Sequence, residues 1–221
     1  MNKQTKVALT VSVASLLMAP MQMASADSSY GDSNGIKKVY ITNISNVVLT
    51  PPVVALCKKR MRPIARVGKP ASLELESLAE GGDTAGLTML FEDKGCNVGM
   101  SETAVPPGET VIVEVAGRRN DYLHIASMLL PTNDAFIYTS GKKVKNVIRR
   151  GDIALKSYDA GTEFNDEICA HIPGPQCGGE GFNSAREENK FVKAHPGLHG
   201  GADVSAASDN WGEPVAKVKI R

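Results

Sequence analysis

The sequence predicts an all-β chain: an antiparallel β-sandwich carrying short helical insertions. Two observations point there. Several stretches alternate apolar and polar residues and are rich in β-branched types, and Pro/Gly-rich turn signals separate them at short intervals along the 221 residues.

In chain order, Lys3 and Lys6 precede an apolar run of 13 residues, 7–19, followed by Met21-Gln22-Met23-Ala24-Ser25-Ala26. This predicts a secretory signal peptide over residues 1–26, and the run is too short for a spanning helix, which needs about 20. Residues 27–35 are polar and read as a flexible N-terminal segment, leaving 36–221 as one domain. Residues 36–49 (IKKVYITNISNVVL) place Val39 and Ile41 on one face of a strand. Pro70-Ala71-Ser72 opens a short helix through Leu73, Leu75, Leu78 and Ala79, which Gly81 and Gly82 end. Residues 84–91 add one or two helical turns. After the turn at Pro106-Pro107-Gly108, residues 110–115 and Tyr122–Leu130 read as a hairpin about the turn at 118–121. A last strand covers 214–220, where Val215, Lys217 and Lys219 alternate with Ala216, Val218 and Ile220.

All four cysteines, Cys57, Cys96, Cys169 and Cys177, lie beyond the predicted cleavage site, and an even count in an exported chain argues for disulfides. Of three connectivities, Cys169–Cys177 with Cys57–Cys96 is preferred, because Pro173-Gly174-Pro175 bends the short segment back on itself. Without a Cys-x-x-Cys spacing, zinc is the weaker reading. Loss of the two leader lysines changes 25 basic and 24 acidic residues into 23 and 24. Such a near-neutral chain has no global bias toward nucleic acid, and no second apolar stretch predicts a transmembrane segment in the mature chain.

Asp159, Glu163, Asn165, Asp166 and Glu167 crowd five carboxylate or carboxamide groups into nine positions. Crowded like charge is costly unless a cation relieves it, and hard oxygen donors suit Ca²⁺. The alternative is a solvated acidic loop. An EF-hand is excluded: Phe164 stands at loop position 6 and Ala170 at position 12, where Gly and a bidentate Glu are needed. A site must therefore be assembled from separate loops.

Eight segments in order carry a family resemblance: Thr42-Asn43-Ile44; Thr50-Pro51-Pro52-Val53-Val54-Ala55; Gly68-Lys69-Pro70-Ala71-Ser72; Leu78-Ala79-Glu80-Gly81-Gly82-Asp83; Ser127-Met128-Leu129-Leu130-Pro131-Thr132-Asn133-Asp134-Ala135-Phe136; Tyr158-Asp159-Ala160-Gly161-Thr162-Glu163; the stretch 169–177; and Asn210-Trp211. With these the chain resembles the spondin domain of extracellular matrix proteins and of bacterial exported proteins. The resemblance implies a C2-like antiparallel sandwich holding Ca²⁺ between loops, with Asp134, Asp159 and Glu163 as ligands. It also implies adhesion or recognition rather than catalysis, with an unidentified cell-surface, polysaccharide or matrix ligand as partner. Thr132-Asn133-Asp134-Ala135 replaces the family's Ser-Pro-Asp-Trp, and Glu163 stands where the animal proteins have Asp. Asn133 offers a further oxygen, or else is a turn former bonded to its own backbone. Asn133, Ala135 and Phe136 are the candidate contact positions beside the metal.

Gly31-Asp32-Ser33-Asn34-Gly35 matches a nucleophile-elbow pattern, but no strand precedes it. His195 and His199 stand four apart, yet Pro196 and Gly197 between them disfavour a helix, so backbone-bonded imidazoles in a loop are expected. A metal-dependent exported hydrolase using His195 and His199 is the alternative function. Lys142, Lys143, Lys145, Arg149 and Arg150 form a basic cluster that faces anionic headgroups or polysaccharide, or is simply a solvated hairpin. The Asn43-Ile44-Ser45 sequon carries no weight because it falls in a predicted strand. The expectation is a periplasmic or extracellular calcium-binding module that is not an enzyme.

Overall fold

A computed structural model of the protein describes residues 34–183, 188 and 190–221. The signal peptide and most of the predicted flexible segment and elbow pattern lie outside the described residues. Gly35, grouped with the tail by the sequence, already pairs with Gly117 as the first residue of a strand.

The described chain is an all-β sandwich of two antiparallel sheets with short helices. Its strands are β1 (Gly35–Asn43), β2 (Val48–Leu49), β3 (Val53–Cys57), β4 (Asn97–Met100), β5 (Thr110–Gly117), β6 (Tyr122–Leu130), β7 (Ala135–Lys143), β8 (Ile153–Leu155), β9 (Ser157–Asp159), β10 (Lys193–Ala194) and β11 (Ala216–Ile220). The smaller sheet has the order β5-β1-β11-β8, and the larger β10-β9-β7-β6-β3-β4 with β2 paired to β6. Between them lies the main core, where Val39 and Ile41 of β1 meet Val54 and Leu56 of β3 and Ile125 of β6.

A second apolar layer covers the outer face of the larger sheet. Helices α1 (Leu73–Gly81) and α2 (Ala85–Asp93) bury Leu75, Leu78, Leu87 and Phe91 against Val53, Ala55, Ala126 and Phe136. The predicted α1 boundaries follow from its caps: Ser72 Oγ accepts from Leu75 N–H, and Gly82 adopts φ 68°, which a side chain would resist. β3 and β6 are thus buried on both faces.

Two expectations are corrected. Residues 36–49 are not one strand: the fully buried Asn43 bends the chain, its Nδ2 donating to Val47 O (2.6 Å) and Val105 O (2.8 Å) while Oδ1 accepts from Ser45 N–H and Oγ–H. Nor do β5 and β6 form a hairpin. β5 pairs with β1 and β6 with β3 and β7, so the 118–121 turn carries the chain from one sheet to the other. Gly117 sits at that crossing, where a Cβ would lie 2.4 Å from Leu56 Cδ1.

Both disulfides form as preferred: Cys57–Cys96 ties the end of β3 to the segment after α2, and Cys169–Cys177 closes a short loop around a single 3-10 turn. The basic cluster is not a hairpin but the end of β7 followed by α3 (Val144–Arg150). The remaining helix, α4 (Ala206–Asp209), is a single turn. Among the described residues no helix is long and apolar enough to cross a membrane.

Candidate metal centre

The turn 131–134 joins β6 to β7 at one end of the sandwich. Thr132 shapes it, its Oγ1 donating to Leu129 O (2.6 Å) and accepting from Ala135 N–H (3.1 Å). Asp134 is thereby held at the start of β7 with no exposed surface. Its Oδ2 accepts from Thr162 N–H (2.9 Å) and Glu163 N–H (3.2 Å), with Thr162 Oγ1 at 3.4 Å. Asp159 ends β9, also fully buried and opposite Ala135 in the ladder. Its Oδ1 accepts from Gly161 N–H (2.8 Å); its Oδ2 accepts from Asn165 Nδ2 (2.7 Å) and pairs with Lys193 Nζ (3.1 Å). Gly161 must be glycine, since φ is 70° and a Cβ would stand 2.7 Å from Phe191 O.

His195 follows β10 and leans on the only tryptophan, Trp211, at 5.0 Å between ring centroids. One ligand atom from each of Asp134, Asp159 and His195 lies within 4.8 Å of the others. Asp134 Oδ1 and His195 Nε2 are buried without a hydrogen-bond partner among the described residues. Glu80, near the end of α1, and Glu163 are buried too. Burial, then the charge of Asp159 and more weakly that of Glu80, push the Asp134 carboxyl up to about 7 against the two N–H bonds that favour its ionised form. Burial brings the His195 imidazole down to about 4, so at neutral pH it adds no positive charge. Against the cost of its own burial, Asp159 and its acidic neighbours raise the Lys193 ammonium. A half-exposed lysine facing several buried acids leaves room for a further cation.

The donors converge from separate loops, not from the 159–167 segment alone. Of the predicted ligands, Asp134 and Asp159 come together; Glu163 gives its backbone N–H to Asp134 and has its buried side chain in the same loop, outside the three-residue cluster. Asn133 is engaged elsewhere: Nδ2 donates to Asp166 Oδ1 (3.0 Å) and Oδ1 accepts from Glu167 N–H (3.2 Å). The two histidines part company. His199 is largely exposed, its Nδ1 3.3 Å from Glu167 Oε1, while the Glu167 carboxylate accepts backbone N–H bonds from His199, Gly200 and Gly201. His195 Nδ1 accepts from Gly197 N–H (3.0 Å), the backbone-bonded loop imidazole expected from the sequence. Phe136 is corrected as a contact residue: it is fully buried under the helices, and Ala135 and Asn133 are buried as well. Sequence reasoning missed the approach of His195 and Lys193 to the aspartates, because β10, which brings them there, is only two residues long and bears no motif.

Two carboxylates of separate loops and further acids can hold a divalent cation. With Nδ1 of His195 accepting from Gly197 N–H, the neutral ring of this arrangement carries its proton on Nε2. Carboxylate oxygens suit Ca²⁺, whereas an imidazole nitrogen in the set would suit a transition metal. Neither the scan against protein-family models nor the search of curated proteins finds a match to this chain.

Proposed function

We propose that this protein is an exported, non-enzymatic recognition module of the spondin type, whose loop end is organised by one bound Ca²⁺ held through Asp134 and Asp159, with Glu163 completing the oxygen set. The observation that carries this reading is Asp134: a fully buried carboxylate beside a second one, with its outer oxygen unpartnered among the described residues. Such a group is stabilised by a cation and destabilised by its absence. The ordered motifs of the spondin resemblance and the two disulfides, which suit an oxidising compartment, support the remainder. The signal peptide predicted over residues 1–26 supports export to the periplasm or beyond. Recognition falls to exposed loops around the metal, not to Phe136.

The test is elemental analysis of purified protein with melting curves in Ca²⁺, Mn²⁺, Zn²⁺ and chelator. At calcium a hundredfold above its Kd, folded-state binding adds about 3 kcal/mol, visible as a raised midpoint. Asp134→Asn and Asp159→Asn are each expected to abolish the shift, and Trp211 emission to follow occupancy through the His195 contact. Equal midpoints in calcium and chelator, with no calcium in the purified protein, would reject the site. The place of His195 in the cluster favours one second reading, a transition-metal centre. Preferential retention of zinc or manganese, lost in His195→Ala and accompanied by turnover of ester or peptide substrates, would establish the hydrolase alternative instead.

A further inference from the structure

Segments 58–66 (KKRMRPIAR) and 142–150 (KKVKNVIRR) hold ten lysines and arginines and no acid. The fold brings them together. Residues 58–66 leave the end of β3, and 142–150 finish β7 and form α3, so Arg60 meets Lys142, Lys143 and Arg150 around a depression of about 360 Å³. None of these ten cations makes an ion pair with an acid among the described residues. Arg60 also lines a second groove of about 640 Å³ together with Met61, Pro63, Ile64 and Leu90. Lys59, Arg62 and Lys94 rim that groove against a single acid, Glu74. Val67 and Leu73, close in sequence to its lining residues, are 63% and 64% exposed.

Charged and apolar residues lining one groove match one chemistry best. Bases or sugars would call for aromatic faces, but the groove is lined by none, and the one aromatic ring of the smaller depression, Tyr122, is covered by Lys143 Nζ at 5.3 Å. Cations with no ion-pair partner among the described residues, beside partly buried apolar side chains, complement an acidic head joined to an acyl tail. We propose that this end of the sandwich binds a phosphate-bearing amphiphile presented by an anionic bilayer, its phosphate on Arg60, Lys142, Lys143 and Arg150 and its hydrocarbon against Met61, Ile64 and Leu90. The surface stands apart from the metal centre: Asp134 immediately precedes β7, and Lys142 and Lys143 end it, about 25 Å away at the rise of an extended strand.

The experiment is co-sedimentation of the mature chain with phosphatidylcholine vesicles, with and without 30% phosphatidylglycerol (about a third of the lipid, to supply a negative surface), in chelator throughout so that the metal centre plays no part. Polyphosphate binding in solution is measured in parallel. Expected is capture by the anionic vesicles alone, weakened at least tenfold by the double variant Arg60→Glu, Lys142→Glu and by raising salt to about 0.5 M. Met61→Asp and Leu90→Ser, which keep every cation, should each weaken vesicle binding severalfold and leave polyphosphate binding unchanged. Met61 and Leu90 also pack against the layer beneath the helices, so only a variant at either position that keeps the wild-type melting midpoint and polyphosphate binding is scored. Equal capture by neutral vesicles, retention by polyphosphate without vesicle binding, or indifference to both sets of substitutions would overturn the proposal.

Discussion

His124 stands in the middle of the larger sheet with no exposed surface, its Nδ1 2.9 Å from Ser140 Oγ, its Nε2 without a hydrogen-bond partner among the described residues, and the Phe91 ring 5.5 Å away. Burial brings its imidazole from 6.5 down to about 4. Because the unfolded chain takes up a proton below 6.5 and the folded one only near 4, this residue removes stability as pH falls through that window and contributes nothing to the slope above it. By pH 4.5 the loss amounts to between about 2 and 3 kcal/mol. In the cation-free protein the raised carboxyl of Asp134 acts with the opposite sign, its contribution fading as pH rises toward 7. The measurement is therefore a difference: urea unfolding at pH 7 and 4.5 for the wild-type protein and for His124→Gln, both in chelator. The variant is expected to lose less stability than wild type on acidification, and parallel losses would refute the assignment.

The break between β1 and β2 rests on one side chain. Asn43 closes four hydrogen bonds in a fully buried bend. Asn43→Ala leaves two carbonyls and a backbone N–H without that partner, a change worth about 3 kcal/mol, read as a lowered urea midpoint at unchanged m. A change below the error of the titration would show that water replaces the amide. The expectation of one strand over 36–49 breaks at this bend, where Asn43-Ile44-Ser45-Asn46-Val47 loses the apolar/polar alternation and the β1 ladder stops. Elements with one solvated face were legible, among them β1, β5 and β11, as was α1 through its Ser and Gly caps. β3 was not, since burial on both faces erases the alternation that marks a strand, whereas β6, equally buried, showed itself as a longer apolar run. The false hairpin has a similar origin: strand-turn-strand spacing looks alike whether the strands pair or cross between sheets, and only packing at Gly117 and Leu56 separates the two.

At the scale of the whole molecule the acidic centre and the basic groove occupy opposite ends of β7, and each disulfide serves one part. The acid-rich segment and the short-range Cys169–Cys177 pair were legible because their chemistry is local in sequence; the approach of His195, and the union of segments 58–66 with 142–150, arise only from strand order. Cys57–Cys96 joins residues 39 apart, for which the chain-entropy relation gives about 4 kcal/mol, against about 2.5 kcal/mol for the separation of 8 between Cys169 and Cys177. Stability alone would rank the first bridge above the second, whereas proximity to the metal loops reverses the order for binding. Cys169 follows closely on Glu163 and Glu167, and its N–H donates to Asp203 Oδ2 at 2.9 Å, so the small loop anchors the segment whose Thr162 and Glu163 amides hold Asp134. Cys57–Cys96 lies toward the other end of β3, beside the helices. The paired variants Cys57→Ser, Cys96→Ser and Cys169→Ser, Cys177→Ser are thus expected to differ in kind. The first lowers the melting midpoint more and leaves calcium affinity intact, while the second lowers it less and weakens calcium binding severalfold, followed by Trp211 emission. Equal effects on affinity would mean that the bridge stabilises the sandwich without positioning the centre.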